Sequence, residues 1–173
     1  MNGAKRRERI AALLDSRHPI TGTELAKQLG VSRQIIVQDI ALMRAEDKSI
    51  LSTNKGYLLY DSSDYEDSCR RVFHVHHTTG QVLEELLTIA ELGGRVLDVS
   101  VEHELYGQIR VDLFINCPQD AIDFADKLKR SNGTPLKALT DDHHYHTVIA
   151  ASERLLDLIE AELLAKGFLI PEN

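Results

Sequence analysis

The chain has 173 residues, a formal charge of −7 and 43% apolar residues, which is enough for one or two ordinary cores. No apolar run approaches membrane-spanning length and no secretory leader is evident, so the sequence reads as cytoplasmic, with no membrane partner. Two cysteines, Cys69 and Cys117, exclude a disulfide scaffold and a cysteine-based metal site.

The charge is unevenly spread. Residues 1–60 carry 10 Lys/Arg against 6 Asp/Glu, and residues 61–173 carry 10 against 21. A basic head beside an acidic body fits nucleic-acid binding by the head alone.

Residues 4–16 form the first predicted helix, with Ile10, Leu13 and Leu14 on its apolar side. Lys5, Arg6, Arg7 and Arg9 give it a cationic start, suited to phosphate contact or to a solvated face. His18-Pro19 stops it, because the residue before proline disfavours the helical region. Two short helices follow, joined at Gly30 and capped by Thr23 and Ser32. Leu25, Leu29, Val31, Ile36, Ile40 and Met43 recur at helical spacing and share one core. Ser32, Arg33, Gln34 and Gln38 fall outside that stripe, near the start of the second helix. In a helix-turn-helix this part enters the major groove, where Arg and Gln suit guanine and adenine edges. The competing reading is a helical hairpin with a polar face. Residues 50–59 then read as a hairpin around Asn54 and Gly56. Three helices and a hairpin make a winged helix, with Lys55 at the wing tip facing phosphate.

Residues 61–69 read as a polar, acidic linker between a 1–60 DNA-binding domain and a 70–173 domain. In the second part the pattern alternates between strand and helix periods. Strands are expected at 70–77, 95–103, 108–115, 134–140 and 143–149, and helices at 79–92, from Pro118 to Asn132-Gly133, and from Ser152 to Lys166. This order predicts an α+β domain, an antiparallel sheet with helices on one face.

Seven of the eight histidines lie in this second part. His144 and His146, two apart on a strand, share a face and can grip one ion; imidazole suits zinc, nickel, copper or iron. His77 continues the Phe73/Val75 side of the first strand. On the following helix Glu85 borders the apolar stripe while Glu84 and Glu91 point away. His77, Glu85, His144 and His146 thus form a candidate metal set. The bland alternative is a row of solvated strand histidines. His74 and His76 form a competing pair. His103 sits beside a turn, as an outer partner of the metal site, an effector contact or a core histidine.

Four stretches resemble a known family: Leu29-Gly-Val-Ser-Arg-Gln-Ile-Ile-Val-Gln-Asp-Ile40, Val101-Glu-His-Glu-Leu-Tyr-Gly-Gln-Ile109, His143-His-Tyr-His-Thr147 and Lys166-Gly-Phe-Leu-Ile170. The chain resembles the niacin-responsive repressors of NAD metabolism (NiaR type), a winged helix followed by a three-histidine (3H) domain. The resemblance implies an HPr-like second domain, a homodimer, operator DNA as partner and nicotinic acid as co-repressor. It also implies no enzymatic activity and a divalent metal, nickel, zinc or iron, at His77, Glu85, His144 and His146. The alternatives are a metal-sensing repressor and a metalloenzyme fused to a DNA-binding head.

Overall fold

A computed structural model describes residues 2–46, 49–60 and 65–172. They fall into two compact units, 1–66 and 67–173. The expected 61–69 linker lies partly on residues 61–64, outside the described residues, and Cys69 already belongs to a strand.

The first unit contains α1 (Gly3–Leu13), α2 (Gly22–Leu29), α3 (Arg33–Ala45), β1 (Ile50–Thr53) and β2 (Gly56–Leu59). Helix α1 ends earlier than its apolar spacing predicts. The Asp15 carboxylate takes the backbone N–H groups of Arg17 and His18, at 2.6 and 2.5 Å, and turns the chain. The cap of α2 is Thr21, not Thr23. Thr21 accepts from the Glu24 N–H while Glu24 accepts from the Thr21 N–H, a reciprocal capping box. Gly30 ends α2 at φ 65°, the left-handed turn that a side chain disfavours, and Ser32 caps α3 by accepting from Ile35 N–H. Ile10, Leu14, Leu25, Ala26, Ile36, Ile40, Met43 and Ile50 close the core. Leu29 and Val31 pack against it half-buried.

β1 and β2 pair antiparallel, and Ile20 bridges to Tyr57 on the outer side of β2. Gly56 sits where the wing crosses this bridge, at φ 135°. A Cβ there would stand 2.5 Å from the Ile20 carbonyl, so only glycine fits.

The second unit contains β3 (Cys69–His76), α4 (Val82–Glu91), β4 (Arg95–His103), β5 (Gly107–Ile115), α5 (Pro118–Arg130), β6 (His143–Ala150) and α6 (Glu153–Ala165). The sheet is fully antiparallel in the order β3-β6-β4-β5. Phe73, Val75, Val96, Leu113, Ile115, Val148 and Ala150 meet Val82, Leu86, Ile89, Ala121, Leu156, Ile159 and Leu163 in one core. All three helices therefore cover the same face; on the other, Thr147 and Ile149 are buried as well, while the end that carries His76 and His143 is open.

One expected strand is absent. Residues 136–140 form a 3-10 turn. Strand β6 already has β3 on one side and β4 on the other, so residues 134–140 cannot pair with it as a hairpin partner. Pro135 lacks an N–H, and its carbonyl instead accepts from Ala138 N–H.

Candidate functional site

The recognition helix comes first. Arg33, Gln34 and Gln38 are exposed on the N-terminal turns of α3, and Ser32, also exposed, is spent on its cap. Val37, missed in the sequence, is 42% exposed among them. It is an apolar group where a thymine methyl would be met. Lys55 is at the β1–β2 tip, half-buried, its N–H donating to Thr53 Oγ1. The basic start of α1 is not wholly available to phosphate. Asp39, buried on α3, holds Arg6 (Nε–Oδ2 2.5 Å) and Arg7 (Nη1–Oδ1 3.5 Å). Nothing in the helical spacing betrayed that pairing, because Asp39 lies between two core positions.

In the second unit the structure brings His77, Glu85, His144 and His146 together beneath the helices. All four are buried. Strand alternation aims His144 and His146 inward from β6, and the register of β3 on β6 places the end of β3 beside them. The helical phase of α4 turns Glu85 inward with Leu86 and Ile89, and Glu84 outward.

Each imidazole is oriented through Nδ1. His77 Nδ1 meets Thr78 O at 2.9 Å, His144 Nδ1 meets Asp142 O at 2.9 Å, and His146 Nδ1 meets Asp98 O at 2.8 Å. A carbonyl only accepts, so each Nδ1 donates. Nε2 of each ring is then left facing Glu85. The separations are 2.6 Å for His77 to Oε2, 3.8 Å for His144 to Oε2 and 3.3 Å for His146 to Oε1. Ligand atoms of His77, Glu85 and His144 lie within 4.8 Å of one another. His146 reaches the other carboxylate oxygen, Oε1, which is buried without a hydrogen-bond partner.

The electrostatics follow. Burial opposes ionisation of Glu85, but the charge of His146 and the close approach of the three imidazoles outweigh it and hold the carboxyl well below its usual range. Burial pushes His146 down, yet Glu85 lifts it above the ordinary value. His144 is lowered, chiefly by burial. Three neutral imidazoles and a carboxylate would be four acceptors pointing at one spot. Positive charge must stand among them, as protons or as a metal ion. Three nitrogens and one carboxylate are the donor set of a borderline transition metal, so the residues fit such an ion.

Two residues around the site were not legible. Asp98 is buried at an irregularity in the β4–β6 register, between Val96 and Ser100. Its carbonyl is thereby released to His146, while its carboxylate accepts from Thr147 N–H and pairs with Arg110 at 2.5 Å. Lys137, 3% exposed, donates to His77 O at 2.9 Å and pairs with Asp142. Lys137 escaped notice because residues 134–140 read as a strand. The imidazoles and Lys137 line one side of a cavity of about 50 Å³ whose other walls are Val82, Leu86, Val99, Leu113, Phe124, Leu128 and Pro135. His103 is elsewhere, at the β4–β5 hairpin. Its Nδ1 accepts from Leu105 and Tyr106 N–H, and its ring stacks on Tyr106.

Comparison with known proteins meets this architecture. Residues 6–58 match a helix-turn-helix domain model and residues 70–172 match the 3H domain. The chain belongs to the 3H-domain family of NiaR/NadR-type transcription repressors. It is 36% identical over 172 residues to a probable transcription repressor NiaR of Thermotoga maritima, covering 97% of both chains. It is 35% identical over 172 residues to the transcription repressor NadR of Bacillus subtilis, covering 98% of this chain and 96% of that one. Both relatives are named as transcription repressors, and with the helix-turn-helix match this sets aside the metalloenzyme alternative. Among the described residues no helix is long and apolar enough to cross a membrane.

Proposed function

We propose that this repressor acts on operators of niacin-uptake and NAD-synthesis genes, as a homodimer, with nicotinic acid as its co-repressor. A divalent transition metal is held by His77, Glu85, His144 and His146. The observation that carries this reading is the convergence of four buried acceptors next to an apolar cavity edged by Lys137.

The chemistry of the effector matches the two sides of that cavity. Nicotinate is a flat aromatic ring with apolar faces, one basic ring nitrogen and a carboxylate. The second part of the chain is strongly acidic, so an anion needs a local cation to bind there. A bound ion supplies that positive charge. Lys137 adds a second, though Asp142 shares it. About 50 Å³ holds only a few water molecules. A pyridine ring therefore enters only if Phe124 and Leu128 of α5, or Pro135, move outward. Such a movement is what an effector needs, since it shifts a conformational equilibrium only through differential affinity for the two states.

On the DNA side, Arg33, Gln34 and Gln38 read base edges, and Lys55 contacts phosphate from the wing. Two heads of a dimer read half-sites about 34–36 Å apart or a multiple of that.

Operator affinity of metal-loaded chain, titrated with and without nicotinic acid, tests the proposal. Tighter binding with nicotinic acid is expected, and equal affinities remove the effector role. Operator binding that follows the metal alone would make the ion itself the signal.

A further inference from the structure

Strands β3 and β6 carry imidazoles on both faces. His77, His144 and His146 point to the helices. His74, His76 and His143 occupy the alternate positions and lie on the open face. The repressor function as described uses only the inner set. Register makes His76 and His143 direct cross-strand partners and puts His74 diagonal to His143.

Of the outer three, His143 is in contact with each of the other two. His74 Nε2 and His143 Nδ1 are 3.1 Å apart. The His76 and His143 ring centroids are 4.5 Å apart, tilted by 41°. His74 stacks on Tyr145 at 4.5 Å, which fixes the plane of its ring. Two nitrogens that share one ion, each about 2.0–2.1 Å from it, stand about 3 Å from each other. His74 and His143 stand at that spacing as a hydrogen-bonded pair; an ion takes the place of the shared proton as the rings turn toward it, and exposed His76, beside His143, swings in as a third donor.

The geometry points to a second transition-metal site, formed by His74, His143 and His76 on the open face of the sheet. Imidazole donors select zinc, copper or nickel over magnesium or calcium. Solvent reaches this site, so water completes the coordination, and it binds more weakly than the buried set.

The test is equilibrium dialysis of the full chain against zinc, followed by metal analysis. The unmodified chain takes up two ions, in a tighter and a weaker step. The double variant His74→Ala/His143→Ala loses the weaker step and keeps the tighter one. Glu85→Gln weakens the tighter step and leaves the weaker, so the two sites are read separately. If the unmodified chain binds one ion and the double variant still binds it, the outer site does not exist. Two ions retained by the double variant overturn the assignment equally. One ion lost in the double variant upholds the outer site and overturns the inner one instead. His74 and His143 are on the sheet surface, and an unaltered thermal transition of the double variant verifies that folding is intact.

Discussion

His77 Nε2 stands 2.6 Å from Glu85 Oε2, and both side chains are 1% exposed. The His77 Nδ1 proton is committed to the Thr78 carbonyl, so this contact holds only if a second proton or a metal ion lies between the two groups. Glu85→Gln removes the negative charge and one ligand while keeping the shape. Metal affinity should fall by more than about 100-fold, the upper end of what loss of an orienting partner costs. Any dependence of operator affinity on nicotinic acid should vanish with it. Calorimetric metal titration and operator titration check the two halves.

Asp39 ties α3 to α1 through Arg6 and Arg7. Asp39→Ala leaves the guanidinium groups without their buried partner. Breaking a fully buried pair costs about 3–5 kcal/mol. The arginines here keep some water contact, with side-chain exposures of 14% and 24%, so about 2–3 kcal/mol is expected. Denaturant unfolding followed by circular dichroism measures it.

The recognition surface separates into two kinds of contact. Arg33→Ala should cost about 1–3 kcal/mol on the cognate operator and relax the preference at one base pair. Lys55→Ala should weaken all sequences alike and reduce the salt slope by about one. Binding curves at several salt concentrations, on cognate and scrambled duplexes, distinguish them.

Asp15 predicts an acid dependence of the first unit. Backbone hydrogen bonds from His18 and Arg17 bring its pKa from 3.8 down to about 2. The folded chain therefore releases this proton more readily than the unfolded chain. Its stabilising effect is complete above 3.8 and disappears as pH falls toward about 2. Asp15→Asn should flatten the stability profile in that window, with the variant less stable than the unmodified chain near neutrality and the two converging toward the acid end. Thermal melts across that range check it.

Much of the fold follows from local chemistry. Gly30, Ser32 and the apolar spacing of α2 and α3 define the helix-turn-helix, and alternation on 95–103, 108–115 and 143–149 marks the sheet. Thr21 and Thr23 both precede an apolar run, and only the reciprocal bond with Glu24 decides between them. Residues 134–140 show apolar content, but both sides of their expected partner β6 are taken by β3 and β4, which is a property of the whole topology. At the site, strand parity accounts for His144 and His146, and helical phase for Glu85. The carbonyls that orient the rings depend on the irregular β4–β6 register and on the turn at Asp142, neither of which leaves a trace in residue type. Lys137 was hidden for the same reason.

X-ray absorption at the metal edge, on chain purified without chelator, tests the centre most directly. The account predicts one tightly held ion surrounded by three imidazole nitrogens at about 2.0–2.1 Å and a carboxylate oxygen, with the signal lost in Glu85→Gln. A metal-free chain that binds its operator fully and responds to nicotinic acid unaided would contradict it.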